Sequence, residues 1–146
     1  IRDMLKAAMS APSVRGTDPW HFIVIRNPYF LTQLGGMLSP AGVLEQARAG
    51  IVVCGDMETP HRRQLSYLLQ DCSAAVENLL LAASMLGVGS CRLCIHPQSS
   101  RVTAARQLLQ LPPSIVPVAA VALGMPRQQK QPRTRFSEKR VHREIW

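Results

Sequence analysis

The pattern of apolar and polar positions divides the chain into short hydrophobic runs separated by turns rich in proline and glycine. The most distinctive run lies in Gln70–Ile95, QDCSAAVENLLLAASMLGVGSCRLCI. Leu79, Leu80, Leu81, Ala82 and Ala83 follow one another, and Cys72, Ala75, Val76 and Met85 complete an almost unbroken apolar cylinder. A helix apolar all round is expected to be buried on every side, inside a core or between two subunits. At about 17 residues, with Glu77 and Asn78 at its centre, it does not read as a membrane span. Gly87 and Gly89 stop it where glycine is favoured, and Ser90–Ile95 reads as a strand.

The same reading places the other elements. Ile1, Met4, Leu5, Ala8 and Met9 keep helical spacing, and the helix breaks at Ala11-Pro12 because a residue before proline avoids helical angles. The loop from Ala11 to Trp20 carries two prolines, a glycine and side chains that bond to backbone, which makes it a shaped loop. His21–Ile25 is a β-branched strand. Pro28 opens a short helix through Leu34, expected to end at Gly35-Gly36, and Ala41–Arg48 is weakly helical. Ile51–Cys54 reads as a strand buried on both faces. Arg101–Leu109 is an amphipathic helix closed by Leu111-Pro112-Pro113, and Val116–Gly124 is the last strand. Strands near 21–25, 51–54, 90–95 and 117–123 with helices between them predict an α+β fold, a small sheet covered on both faces.

Composition adds to this picture. A chain of 146 residues is one domain by length, 47% hydrophobic and only 18% charged, which excludes disorder and favours an obligate oligomer. The net charge of +8 is concentrated near the end. Arg127, Lys130, Arg133, Arg135, Lys139, Arg140 and Arg143 face only Glu138 and Glu144 there. Nucleic acid, a solvated arm and a phosphate site for a small ligand are the competing readings. No aromatic residue is interleaved with the basic run, so base stacking is poorly supplied and nucleic acid ranks last.

Cys54, Cys72, Cys91 and Cys94 lie in apolar segments, where cysteine is expected to act as a small buried hydrophobe. Cys91-Arg-Leu-Cys94 lacks a second pair of ligands for zinc, and strand alternation sends its two thiols to opposite faces. His21, His61, His96 and His142 are scattered, and Asp71 and Glu77 are six residues apart, which is not a same-face spacing. No nucleophile elbow and no glycine-rich phosphate loop is present. Such a chain suits a cofactor that carries the hard chemistry. With no signal peptide or span visible, a reducing cytoplasmic location is expected.

Ala7-Ala8-Met9-Ser10-Ala11-Pro12-Ser13, followed by Pro19-Trp20-His21-Phe22, resembles the A-A-x-x-A-P-S-x-x-N-x-Q-P-W-x-F signature of the FMN-dependent nitroreductase family. Gln70–Ala83 resembles that family's central dimer helix, and Leu86–Cys91 its L-G-L-G-S-C turn. Pro117–Gly124 with Pro126 resembles P-V-A-x-V-A-L-G-x-P. Arg133-Thr-Arg135-Phe136 with Val141–Trp146 resembles the C-terminal arm. The resemblance implies a nitroreductase-like fold with a mostly antiparallel sheet and a long central helix at a homodimer interface. It divides the chain into a domain over 1–126 and a basic arm of that domain over 127–146.

It further implies bound FMN and electrons passed from NAD(P)H to a nitroaromatic, quinone or related small-molecule acceptor in a ping-pong cycle, with no nucleic-acid or membrane partner and no catalytic side chain. Carried over residue by residue, the FMN-binding positions are Ser13, Arg15, Gly16 and Asp18 in the loop, Arg92, Leu93 and Cys94 in the strand, and Arg133 and Arg135 at the phosphate. The family's N-terminal R-R-S-x-R clamp is not in the sequence from Ile1 onward; either it precedes Ile1 or this member has lost it. Gly16 stands for the common Asn, Asp18 for the common Gln, Arg92 for a frequent Trp and Cys94 for a frequent Gly. A carboxylate at 18 needs a partner near a flavin dianion, and Arg15 is the expected one. These departures motivate an alternative, a non-catalytic dimeric member with lost or altered flavin binding.

Overall fold

The computed structural model describes residues 1–38, 42–128, 131 and 133–146. Four strands, β1 (Trp20–Ile25), β2 (Ala49–Asp56), β3 (Gly89–Cys94) and β4 (Ile115–Gly124), form one sheet in the order β1-β2-β4-β3. Every neighbouring pair is antiparallel. Helices α1 (Arg2–Met9) and α3 (Leu65–Met85) pack on one face, and α2 (Pro28–Leu38) and α4 (Ser99–Leu109) on the other.

Period-two alternation along β2 divides the interior. Ile51 and Val53 join Met4, Ala8, Leu68, Val76 and Leu79 beneath α1 and α3. Val52 and Cys54 join Leu31, Leu34, Leu44, Ile95 and Ala105 beneath α2 and α4. A strand buried on both faces needs a continuous apolar run, which is why β2 and β4 read that way. Each fully buried Leu, Ile or Val contributes about 1.5–3 kcal/mol. Pro117 stands inside the central strand β4, where a missing N–H would normally interrupt the ladder. A register shift between Val53 and Cys54 accommodates it. The skipped Val118 carbonyl accepts the N–H groups of Ile95 and His96 at 3.2 and 3.1 Å.

Several expectations are corrected. α2 does not stop at Gly35-Gly36 but runs through them to Leu38. Gly35 is a close-approach position: a Cβ there would lie 2.7 Å from Glu45 Cγ. The described part of the segment expected to be weakly helical is a single turn over 43–46 around the buried Leu44; its start at Ala41 lies outside the described residues. α3 seats itself by pressing Leu68 against Gly55, whose missing side chain leaves the room. It ends in a Schellman arrangement, with Val88 N–H to Ala83 O at 2.9 Å and Gly87 at φ 70°.

α3 is not buried on all sides within one chain. Leu81 is 55% exposed and Met85 89% exposed, one helical turn apart and one turn beyond the exposed Glu77. Asn78 ties the other side inward, its Nδ2 donating to Ala7 O at 3.0 Å. Among the described residues, no helix is long and apolar enough to cross a membrane.

Candidate functional site

Residues 13–18 connect α1 to β1 in a turn that bonds mainly to itself. Ser13 Oγ donates to Asp18 Oδ1 at 2.5 Å and accepts the Asp18 N–H at 3.0 Å. Gly16 N–H donates to Ser13 O at 3.1 Å, and Thr17 Oγ1 to Val14 O at 3.1 Å. The turn requires left-handed backbone at Arg15 (φ 57°), Gly16 (φ 65°) and Asp18 (φ 47°). Glycine and asparagine tolerate that region best, which gives a physical reason why one can replace the other at position 16. The expected Arg15–Asp18 ion pair is absent among the described residues; Ser13 satisfies the carboxylate instead. That leaves the exposed Arg15 guanidinium without a carboxylate partner among the described residues.

Beneath this turn, α3 presents Asp71, which the sequence reading considered only for its spacing from Glu77. Asp71 is 4% exposed. Its Oδ1 accepts the Val14 N–H at 3.1 Å, while Oδ2 is buried with no hydrogen-bond partner. Burial pushes this carboxyl above the ordinary aspartate range, the Val14 bond works against the rise, and the charge of Asp18 adds to it. The signal available in the sequence was an acid set inside an otherwise apolar helical run.

β3 supplies the second predicted group. Arg92 and Cys94 pair with Val121 and Ala119, on the α1/α3 side of the sheet. Both are exposed. Leu93 points to the opposite core under α2 and α4, so only its backbone is available on the Arg92 side. Arg101 Nη1 of α4 donates to Cys94 O at 2.9 Å and fixes the end of the strand. Arg133 and Arg135 are exposed in the C-terminal arm. Among the described residues no hydrogen bond or ion pair links these arginines to residues 13–18 or 92–94.

The thiols split into two classes. Cys54 and Cys72 are fully buried, and burial pushes both up to about 12; Cys72 Sγ lies 3.6 Å from Cys54 O. Cys91 and Cys94 are exposed, contrary to the expectation that all four are buried. Among the described residues no group of three or more His, Cys, Asp or Glu side chains is placed to hold a metal. A cleft of about 430 Å³ lies at the β1 edge on the α2/α4 side, between Ile23, Phe30 and Leu108. Another of about 310 Å³ lies beside Cys91, Gln46 and Arg127. None of the nine predicted flavin-binding residues lines either cleft.

A model of the nitroreductase family matches residues 37–125. A protein of Archaeoglobus fulgidus with the provisional name NADH dehydrogenase/NAD(P)H nitroreductase is 43% identical over 151 residues, a match that spans all of this chain and 85% of the relative. A crystal structure of a similarly named protein from Parabacteroides distasonis superposes with a TM-score of 0.92 at 33% identity, covering 99% of this chain and 84% of that one. A nitroreductase from Desulfovibrio desulfuricans, solved in complex with FMN and likewise provisionally named, superposes at 0.81 with 27% identity, covering 99% and 83%. The chain belongs to the nitroreductase family of oxidoreductases.

Proposed function

We propose that this protein is an FMN-dependent oxidoreductase that moves electrons from NAD(P)H to nitroaromatic, quinone or related acceptors. The observation that carries the reading is the likeness, over 99% of this chain, to a nitroreductase in complex with FMN. The donor set suits the cofactor. Arg15, Arg133 and Arg135 are exposed guanidinium groups with no carboxylate partner among the described residues, and guanidinium geometry matches phosphate oxygens. No atom comes within 4 Å of where a Cβ on Gly16 would stand, so the turn offers open backbone for a flat ring to approach.

When bound, FMN supplies the two-electron chemistry, taking hydride from the nicotinamide and reducing the acceptor. The chain's own part is to bind and orient. Residues 13–18 would offer backbone groups to the ring edge, the Leu93 backbone and the Arg92 and Cys94 side chains would form a wall, and Arg133 and Arg135 would hold the phosphate. Ping-pong kinetics would follow if donor and acceptor used the bound cofactor in turn. The exposed stripe of Leu81 and Met85 on α3 supports a homodimer in which each site draws on both subunits. The reading is tested by titrating purified protein with FMN and assaying NAD(P)H oxidation with menadione or a nitrofuran. Quenching of flavin fluorescence and steady turnover are expected; failure to bind FMN would favour the non-catalytic alternative.

A further inference from the structure

The turn at 13–18 holds a shape that its backbone resists. Arg15 and Asp18 are non-glycine residues in the left-handed region, and such conformations persist only where the surroundings over-determine them. Most of its hydrogen bonds are internal, between Ser13 and Asp18, Gly16 and Ser13, and Thr17 and Val14. Among the described residues one side chain from outside bonds to residues 13–18, and it is Asp71 through the Val14 N–H. A buried acid is costly, whereas an apolar residue at 71 would extend the core formed by Leu68, Cys72 and Ala75. α3 therefore carries an acid where packing asks for none, and the hydrogen bond it makes goes to the turn.

We propose that Asp71 is a positioning residue, which by holding the Val14 N–H sets the 13–18 turn in the conformation that meets the cofactor. The link to FMN rests on the function proposed above; the hold on the turn does not. Burial raises the Asp71 carboxyl above the ordinary aspartate range, the Val14 bond opposes the rise, and Asp18 adds to it. A carboxyl oxygen accepts an N–H as an amide oxygen does. Asparagine therefore reproduces the contact, and leucine, of similar branched shape but larger, removes it. The donor can also be deleted from the other side. Ser13 is extended (φ −130°, ψ 156°), as a residue before proline prefers, and position 14 opens a helical turn, where proline is tolerated. Val14→Pro thus removes the N–H without touching α3.

The test compares wild type, Asp71→Asn, Asp71→Leu, Val14→Pro and the double variant Asp71→Leu/Val14→Pro. Amide hydrogen exchange of residues 15–18 is followed in flavin-free protein, and FMN affinity by fluorescence quenching. Asp71→Leu and Val14→Pro should each speed exchange in the turn and weaken FMN by about fivefold to tenfold, the worth of one hydrogen bond. The double variant should be no worse than either single one, because both remove the same contact. Asp71→Asn should recover most of the loss. Unchanged exchange at 15–18 in Asp71→Leu, additive losses in the double variant, or an Asp71→Asn as impaired as Asp71→Leu would each overturn the proposal. A uniform rise in exchange across α1 and α3 would do the same, marking Asp71 as a general stabiliser. If the exchange pattern appears but wild type binds no FMN, the positioning role stands and the cofactor reading falls. If Asp71→Leu does not fold, Val14→Pro beside Asp71→Asn decides the matter alone.

Discussion

Under α2 and α4, Leu31, Leu34, Leu38 and Leu44 close over Ile25, Val52 and Ile95 with no charged group in the described core. Under α1 and α3, Ile51, Val53, Leu68 and Val76 are likewise buried, yet that side holds Asp71, buried and half-satisfied. The same side turns Arg92 and Cys94 outward and leaves Leu81 and Met85 uncovered. The first face carries no buried charge among the described residues, although a cleft of about 430 Å³ opens at its β1 edge. The second departs from good packing at several places: Arg92 and Cys94 lie in the strand that the family resemblance assigns to the cofactor, Asp71 bonds to the turn assigned to it, and Leu81 and Met85 form a separate stripe on α3. Local violations of packing rules of this kind concentrate at functional sites.

Paired substitutions can break the comparison. Leu34→Ala, in the closed core, should cost about 2–5 kcal/mol by cavity formation, seen in urea unfolding, without altering self-association. Leu81→Lys, on the open face, should leave subunit packing nearly intact, within about 0.5 kcal/mol for an exposed site, while shifting sedimentation from dimer to monomer and lowering FMN affinity. If both variants behave alike, the two faces do not differ as argued.

The thiols sharpen it next. Cys54 and Cys72, pushed up to about 12 by burial, should resist a disulfide reagent at neutral pH, since the thiolate is the reactive form. Cys91 and Cys94 should react in flavin-free protein, and FMN should shield Cys94 more than Cys91. Counting modified cysteines by mass spectrometry, with and without FMN, checks this.

A smaller effect concerns pH. The Asp71 carboxyl holds its proton more tightly in the folded chain than in the unfolded one. Above the ordinary aspartate value of 3.8 the folded state therefore binds more protons, and its contribution to stability falls as pH rises through the raised value. Asp71→Asn should remove that downward slope in urea midpoints measured from about pH 4 to about pH 8. Asn78→Ala, which loses the bond to Ala7 O, should cost about 1 kcal/mol in urea unfolding.

Much of this was legible in the residues. The apolar runs at 51–54 and 117–123 located the two central strands, and the bulge at Pro117 only adjusted their register. The stop at Gly35 was misread because a glycine required for the approach of Glu45 looks, in sequence, like one required for a turn. The apolar cylinder of α3 pointed to burial, but only coordinates show which stripe one chain leaves open. The loop from Ala11 to Trp20 was legible as a shaped loop by its composition, and the family resemblance singled out residues 13–18 within it. Its internal pairing of Ser13 with Asp18, and its tie to Asp71 across 57 positions, are long-range geometry that no local pattern encodes. The exposure of Cys91 and Cys94 follows from β3 being a sheet edge, which is a property of strand order.

The central claim is that electrons pass through bound flavin. The direct measurement is anaerobic mixing of FMN-loaded protein with NADH or NADPH, followed by addition of menadione or a nitrofuran, with flavin absorbance recorded throughout. The account predicts that the nicotinamide bleaches the flavin band and that the acceptor restores it, each in the absence of the other substrate. A flavin band that stays unchanged on mixing with either nicotinamide would contradict it.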